Sequence, residues 1–287
     1  MIGVIVVDKP QGVTSSNVVV KIKKILNERK VGHMGTLDPL ASGVLPICIG
    51  KATRLFDLFL KKDKTYVAKF TFGETTPTFD RESEVCETCE HIPSKEEIEA
   101  AIKSNFLGEI SQIPPMHSSK KIGGQSAYNY ARRGEKVELA PSKVTIYDFK
   151  VLSQVDDRTY EFLITCSSGT YIRSLARDLG IATGSLATMI DLKRTRCGLF
   201  ELETAVKMDD LSKETIEKNI LSIEEALKDF DQIDISKDVY TKIRNGINMP
   251  IKNKPADNDL HLVMCEKKAV GLGKFIDNKL KITTYFD

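Results

Sequence analysis

The sequence predicts an α+β protein made of one large domain and a small β-rich C-terminal one, on three observations. Strand-like apolar runs and amphipathic helical stretches follow one another irregularly, with no repeat period. The chain has 287 residues, enough for a large domain plus a small one, and 41% hydrophobic against 29% charged residues is an ordinary globular balance. Towards the C-terminal end, short strand-like runs alternate with Gly246, Gly271 and Gly273.

Ile2 to Val7 is apolar and β-branched, the pattern of a buried strand. Thr14, Ser15 and Ser16 offer N-caps for an amphipathic helix through Val18, Ile22, Ile25 and Leu26. Val44 to Ile49 reads as strand and Ala52 to Leu60 as helix; Tyr66 to Phe72 alternates like a half-buried strand. Ser94-Lys95-Glu96-Glu97 is a capping box opening a helix to Asn105. Residues 113–141 read as an excursion from the core: Ile113-Pro114-Pro115 breaks the sheet, Gly123-Gly124 turns the chain, and Ala127 to Arg133 is a short basic, Tyr-bearing helix. Strands resume over Val144–Val155 and Thr159–Thr165, then a helix from Tyr171 to Leu179 with Gly180 at its C′ position. A boundary falls within Asp229–Ile235, dividing residues 1–230 from 231–287. Gly271-Leu272-Gly273-Lys274 fits no nucleotide-loop spacing and reads as a tight turn between strands.

No apolar run approaches the roughly 20 residues of a membrane span. The strand-like Ile2–Val7 starts without a basic, then apolar, leader, so a cytoplasmic protein without membrane attachment is expected. The six cysteines lack a disulfide rhythm, and Cys86, Cys89 and His91 alone make a poor tetrahedral zinc site, so no metal is expected. The net charge is only +2, but its distribution is uneven. Residues 82–99 are strongly acidic and read as a face turned away from phosphate. Lys21, Lys23, Lys24, Arg29 and Lys30 form one basic group; Lys120, Lys121, Arg132, Arg133 and Lys136 form another, and Lys193, Arg194 and Arg196 a third. Such groups are solvated faces or, when several occur in a near-neutral protein, the footprint of a bound polyanion.

The most informative stretch is Gly32-His33-Met34-Gly35-Thr36-Leu37-Asp38-Pro39-Leu40-Ala41-Ser42-Gly43-Val44-Leu45-Pro46. Pro39 keeps Asp38 out of the helical region, and the flanking glycines permit turns or close backbone approach. An isolated Asp-Pro of this kind caps a turn; the whole segment resembles the GHxGxLDPxAxGVLP signature of the tRNA pseudouridine-55 synthases, the stand-alone bacterial branch of the pseudouridine synthases. Gly3–Ser15 is similar to that family's strand leading into DKPxGxTS, Asp63-Lys64-Thr65-Tyr66-Val67-Ala68 to its KxY block, and Ser168–Gly180 to its GTYIRxLxxDLG block. The four blocks stand in the family order over about the first two-thirds of the chain. Where many members read YLRRTRxGxF, this chain has Asp191-Leu192-Lys193-Arg194-Thr195-Arg196-Cys197-Gly198-Leu199-Phe200, with Asp191 in place of the aromatic.

The resemblance implies a catalytic domain over 1–230 with a mixed, mainly antiparallel sheet flanked by helices. Residues 113–141 would be a thumb-like insertion gripping RNA through Lys120, Lys121, Arg132 and Arg133, and 231–287 a small PUA-like β pseudobarrel. It implies isomerisation of uridine 55 in the T loop of tRNA to pseudouridine, with neither cofactor nor metal. Asp38 would be the catalytic nucleophile, Arg173 the cation keeping it ionised and Tyr66 the plate on which a flipped uracil stacks. Tyr171, placed two residues before Arg173 at a strand end, would share its face and line the pocket; Leu192 would be the wall under the base. His33 would enter the gap the bases vacate, and Lys9 would buttress the Asp38 loop. The expected partner is the T stem-loop of tRNA, with no guide RNA and no obligate protein partner. Three rival readings are a non-catalytic RNA-binding or RNA-folding protein, an Asp-nucleophile glycosidase, which needs a second carboxylate, and the guide-dependent branch of the same family.

Overall fold

The computed structural model describes residues 1–118, 120–135, 137–247, 249–251 and 260–286; Lys136 of the second basic group lies outside them. Its elements begin with β1 (Gly3–Lys9), α1 (Ser15–Leu26), β2 (Val31–His33), β3 (Ser42–Ile49) and β4 (Lys64–Phe72). They continue through α2 (Lys95–Asn105), β5 (Gly108–Gln112), α3 (Ala127–Arg132), β6 (Ser142–Asp156), β7 (Thr159–Cys166), α4 (Ile172–Ala182) and β8 (Ala187–Cys197). The C-terminal part holds β9 (Gln232–Ile235), α5 (Lys237–Arg244), β10 (His261–Cys265), β11 (Lys268–Ile276) and β12 (Lys279–Tyr285).

The first sheet runs Val206–Lys207, β1, β3, β8, β4, β7, β6, β5, with β2 added on β3; β8 is parallel to β3 and antiparallel to β4, so the sheet is mixed and mainly antiparallel. Its central strands explain their own sequences. In β1, Ile5 and Val7 join the core under α1 and α4, while Val4 and Val6 join a second core on the opposite face. In β3, Leu45, Ile47 and Ile49 likewise face one core, and Val44 and Cys48 the other. A strand covered on both sides is apolar at every position rather than at alternate ones.

A second sheet, ordered β9-β10-β11-β12-Met249–Pro250, covers that opposite face: its Leu262, Met264 and Leu272 share a core with Val4, Val6 and Val44. Two glycines read as a turn lie inside β11 instead. A Cβ on Gly271 would sit 2.3 Å from the Thr284 carbonyl oxygen and one on Gly273 2.9 Å from Val263, so the glycines let neighbouring strands approach. This glycine-pinched, curled sheet is consistent with a PUA-like domain.

Three other expectations need correction. Helix α4 does not end at Gly180 but runs to Ala182, with Gly184 taking the positive φ beyond it. Gly180 lies inside the helix and is glycine for another reason: a Cβ there would come within 2.5 Å of the Ala187 backbone nitrogen. Tyr171 and Arg173 do not share a strand end: β7 stops at Cys166, Tyr171 is the N-cap of α4 and Arg173 lies in its first turn. The stretch Ala52–Leu60 opens as a 3₁₀ turn, Gly50–Leu55, before a short α-helical turn over Phe56–Leu60. The capping boxes at Thr14 and Ser94 are both formed, and the 113–141 segment carries a Lys121–Ile122/Gln125–Ser126 hairpin turned at Gly123-Gly124, followed by α3. No described helix is long and apolar enough to cross a membrane.

Candidate active site

Asp38 sits in the loop between β2 and β3, and the start of α1 holds that loop from beneath. The Ser15 hydroxyl donates to the Leu37 carbonyl at 3.0 Å and accepts from the Leu37 amide at 2.9 Å. Lys9, fully buried, donates to the carbonyls of Val13 at 2.6 Å, Pro10 at 3.0 Å and Pro39 at 3.5 Å. Lys9 therefore braces the loop through backbone, where a buried ammonium finds acceptors with no carboxylate paired to it among the described residues. Burial pulls its pKa down to about 8 against the opposing pull of Asp38.

One guanidinium organises the carboxylates. Arg173, itself buried, reaches Asp38 at 3.0 Å with one terminal nitrogen and Asp80 at 3.1 Å with the other. It also donates to the carbonyls of His117 at 2.8 Å and Thr78 at 3.3 Å. Burial raises the Asp38 carboxyl above the usual carboxylate range; Arg173 opposes that, and the charge of Asp80 adds to it. Asp80 is sealed from solvent, and its other oxygen accepts from the Thr78 hydroxyl at 2.6 Å and the Glu82 amide at 3.0 Å. The residue before it, Phe79, takes a left-handed backbone (φ 59°) with Arg177 stacked on its ring, 5.0 Å from the centroid. Such strain in a bulky residue is kept where the surrounding structure over-determines it.

A cavity of about 350 Å³ opens above this pair, and Asp38, Tyr66, Tyr171, Arg173 and Leu192 all line it, together with His117 and Tyr128. Tyr66 and Leu192, on neighbouring strands β4 and β8, are nearly buried and form its apolar side. Burial pushes the Tyr66 phenol up from its ordinary range, with Arg194 pulling the other way. Tyr171 is fixed through its backbone, whose amide and carbonyl both bond the Gln112 side chain, at 2.8 and 3.0 Å. His33 does not line this cavity but an adjoining one of about 420 Å³ that shares Asp38 and Arg173 with it and that Asp80 and Glu82 also line. Its Nδ1 is buried without a hydrogen-bond partner among the described residues, and burial lowers its pKa.

The insertion reaches the cavity mouth through His117 and Tyr128, whose rings meet edge to face at 6.3 Å. Arg132 stands over Tyr128 at 5.8 Å; Arg133 is paired with Glu135 at 2.7 Å, and Lys120 bonds the Ser142 hydroxyl at 2.9 Å. Lys121 is exposed.

Two readings of charge change. Arg194 is no surface cation, being 1% exposed under the cavity. Glu82 does not face away from the site with the rest of its acidic run: burial and the charges of Asp80 and Asp38 raise its pKa. Sequence reasoning missed Asp80, His117, Tyr128 and Arg194. The signal for Asp80 was the run Thr76-Pro77-Thr78-Phe79-Asp80, in which hydroxyls flank a carboxylate in a turn; both threonines bond Asp80, Thr76 through its carbonyl at 2.7 Å. Cys86 and Cys89 are occupied as weak donors to the carbonyls of Thr75 and Gly184.

The chain matches a family model described as TruB family pseudouridylate synthase (N terminal domain) over residues 23–172, and one described as tRNA pseudouridylate synthase B C-terminal domain over 173–232. A Clostridium tetani protein named tRNA pseudouridine synthase B is 42% identical over 285 residues, covering 98% of both chains. A Rickettsia bellii protein of the same name is 41% identical over 242 residues, 83% of this chain and 82% of that one. Among solved structures, an H/ACA RNP bound to a substrate RNA containing 2′-deoxyuridine is 29% identical, with a TM-score of 0.74 over 99% of this chain and 85% of that one. A Cbf5-Nop10-Gar1 complex matches at 30% identity with the same TM-score and coverage.

Proposed function

The chain belongs to the TruB family of pseudouridylate synthases, and on that premise we propose that it isomerises uridine 55 in the T loop of tRNA to pseudouridine, with Asp38 as nucleophile. The observation that carries this reading is the Asp38–Arg173 pair at 3.0 Å, on the floor of a cavity whose apolar wall is Tyr66 and Leu192. The isomerisation breaks the N1–C1′ bond, turns the uracil and forms C5–C1′; the C5 proton leaves and N1 gains one. Atoms and electrons balance without an added reactant. What the reaction requires is a carboxylate that stays ionised in a closed pocket, and Arg173 is placed to keep Asp38 so. Attack at C6 of the base and attack at C1′ both start from this group.

The remaining assignments follow the cavity. Tyr66 stacks on the flipped base, a contact worth about 1–3 kcal/mol; Leu192 supports it and Tyr171 closes the side. Lys9 holds the Asp38 loop rather than touching RNA. His33, which lines the adjoining cavity, fills the gap left in the stack. The insertion clamps the stem, with Lys121 and Arg132 free of acidic partners among the described residues while Arg133 has Glu135. The second sheet, over residues 231–287, adds RNA-binding surface. The enzyme works on free tRNA in the cytoplasm, with no guide RNA, cofactor or metal.

The test is tritium release from a tRNA transcript labelled at C5 of its uridines. Wild type should release one equivalent per tRNA, and none when position 55 is changed to cytidine. Asp38→Ala should release nothing yet bind the transcript as wild type does. Release by the variant, or release that survives the change at position 55, would overturn the assignment; tight binding without release by wild type would make the chain a tRNA-binding protein.

A further inference from the structure

Gln112 is the last residue of β5, and the 113–141 insertion leaves the sheet directly after it. Its register partner is Ser142, the first residue of β6, so the insertion returns at the point where it left. The Gln112 side chain is 1% exposed, and its amide bonds one residue of the cavity twice. Its Oε1 accepts from the Tyr171 amide at 2.8 Å, and its Nε2 donates to the Tyr171 carbonyl at 3.0 Å. That carbonyl also accepts from the Leu175 amide at 3.1 Å as α4 begins, while the N-cap Tyr171 makes no side-chain cap of its own. The chain just beyond Gln112 rests on the same helix. The Ile113 carbonyl accepts from the Ser174 hydroxyl at 2.8 Å and from Arg177 at 3.1 Å, and the His117 carbonyl from Arg173 at 2.8 Å.

We propose that Gln112 is a positioning residue for the reaction above: by holding both peptide groups of Tyr171 it fixes the side chain that closes the cavity, and it ties that side chain to the root of the insertion. Tyr171 stands at φ −100° and ψ 111°, outside the helical region although α4 begins at the next residue. A side chain leaves the backbone in a direction that φ and ψ set. A bond to the amide restrains the first torsion and a bond to the carbonyl the second, so one side chain holds both. The chemistry selects glutamine. Buried polar groups are paired in folded proteins, and a primary amide offers a donor and an acceptor side by side, as a peptide does. Leucine would fill the space and take away the acceptor of the Tyr171 amide; an ionised glutamate would set an oxygen against the Tyr171 carbonyl.

The inference rests on the proposed isomerisation, and two measurements separate the two. In steady-state tritium release, Gln112→Leu should lower kcat roughly 5- to 100-fold, the span of two lost hydrogen bonds. Affinity for tRNA should hold, because Ile113 and His117 keep their bonds to α4. In a Tyr171→Ala background the same change should add much less than its effect alone. Gln112→Glu carries a pH signature that packing alone would not give. A protonated carboxyl has the donor and the acceptor of the amide, and burial raises its pKa by as much as about 3–5 units. The ratio of variant to wild-type kcat should therefore fall as pH rises from about 6 to 9. An unchanged kcat in Gln112→Leu, losses that simply add, a loss in affinity with kcat kept, or a ratio level with pH would overturn the proposal. The second measurement needs no turnover: amide hydrogen exchange in tRNA-free enzyme. Gln112→Leu should free the Tyr171 amide to exchange while the Ala176 and Leu179 amides, inside α4, stay protected. A Tyr171 amide as protected as in wild type overturns the proposal. Should Gln112→Leu fail to fold, Gln112→Glu, which exchanges only the NH₂ group for oxygen, still decides through its pH profile. Wild type that releases no tritium would instead end the reading of function, while exchange still decides whether Gln112 holds Tyr171.

Discussion

Asp38 is an ionisable group whose environment opposes its own charge, and its pH behaviour follows from that. Burial raises its carboxyl more than Arg173 lowers it. A folded-state pKa above the unfolded value means that the folded protein binds the proton more readily. The ionised form therefore costs stability at neutral pH, and the cost fades as pH falls through the raised value. Asp38→Asn should accordingly melt higher than wild type at pH 7 and lose that advantage in acid; a lower melting temperature at pH 7 would contradict the sign. The acid limb of kcat/KM, which reports the free enzyme, should lie above the ordinary aspartate range. Lys9 has the opposite chemistry. Its pKa of about 8 lies below the 10.5 of a free lysine, so between those values the unfolded chain holds a proton that the folded chain does not. Stability should thus rise with pH across that window, and Lys9→Met should flatten the slope, as urea unfolding at pH 7.5, 9 and 10 would show. The same variant loses the bonds to Val13 and Pro39 and should lower kcat while tRNA binding holds. Asp38, Tyr66, Tyr171, Arg173 and Leu192 were all legible in the sequence because each stands in a block of recognisable spacing, and the structure brings them to one cavity. Asp80 was not: its partner Arg173 is 93 positions away, and no local pattern encodes a contact that only the closed sheet creates.

At the scale of elements, periodicity and capping were legible and glycine roles were not. Thr14 and Ser94 close their capping boxes because a cap is a bond between residues three apart. Gly180 could not be read the same way, since its reason for being glycine is β8, which folds back against α4 seven residues later. A glycine after an amphipathic run looks like a C-cap; here it is where a helix meets the backbone of a strand, Ala187 nitrogen lying 2.5 Å from an added Cβ. Gly180→Ala should therefore destabilise despite alanine's better helix propensity, by about 1–3 kcal/mol, the range for forcing an extra methyl into a packed contact. Because Arg173 occupies the first turn of the same helix, the displacement should also reach the pair with Asp38 and reduce kcat. A variant as stable as wild type would show that the helix can shift freely away from β8. The third basic group misleads at Arg194 for a related reason: in the run Lys193-Arg194-Thr195-Arg196, strand alternation turns Arg194 inward, and charge in a sequence carries no direction until the register is known.

At the scale of the whole molecule, the second sheet is a structural part of the first. Its Leu262, Met264 and Leu272, with Phe286 just beyond β12, lie in one apolar core with Val4, Val6, Val44 and Cys48 from the outer face of β1 and β3. Sequence reading divides the chain between residues 230 and 231, and β9 begins at Gln232. It gave no reason to expect a shared core, because β1 and β3 look alike whether their second face meets a helix or a distant sheet. Removing residues 232–287 would uncover that face on β1 and on β3, the strand that follows the Asp38 loop. Each large apolar side chain so exposed forfeits about 1.5–3 kcal/mol of burial, against a total stability of only about 5–15 kcal/mol for a typical domain. The truncated chain should therefore bind a hydrophobic dye, melt well below the full chain or aggregate, and lose turnover for reasons unrelated to RNA contact. Charge substitution separates the two roles. Lys274 and Lys281 face each other across β11–β12, exposed on a sheet whose core they do not enter. Lys274→Glu with Lys281→Glu should leave the melting temperature in place. If that face touches phosphate, the double variant should weaken tRNA binding and reduce the slope of log affinity against log salt by about 0.7–0.9 for each phosphate it no longer neutralises. An unchanged slope with a folded protein would remove this face from the interface and leave the second sheet the role its core assigns it, holding the outer side of β1 and β3.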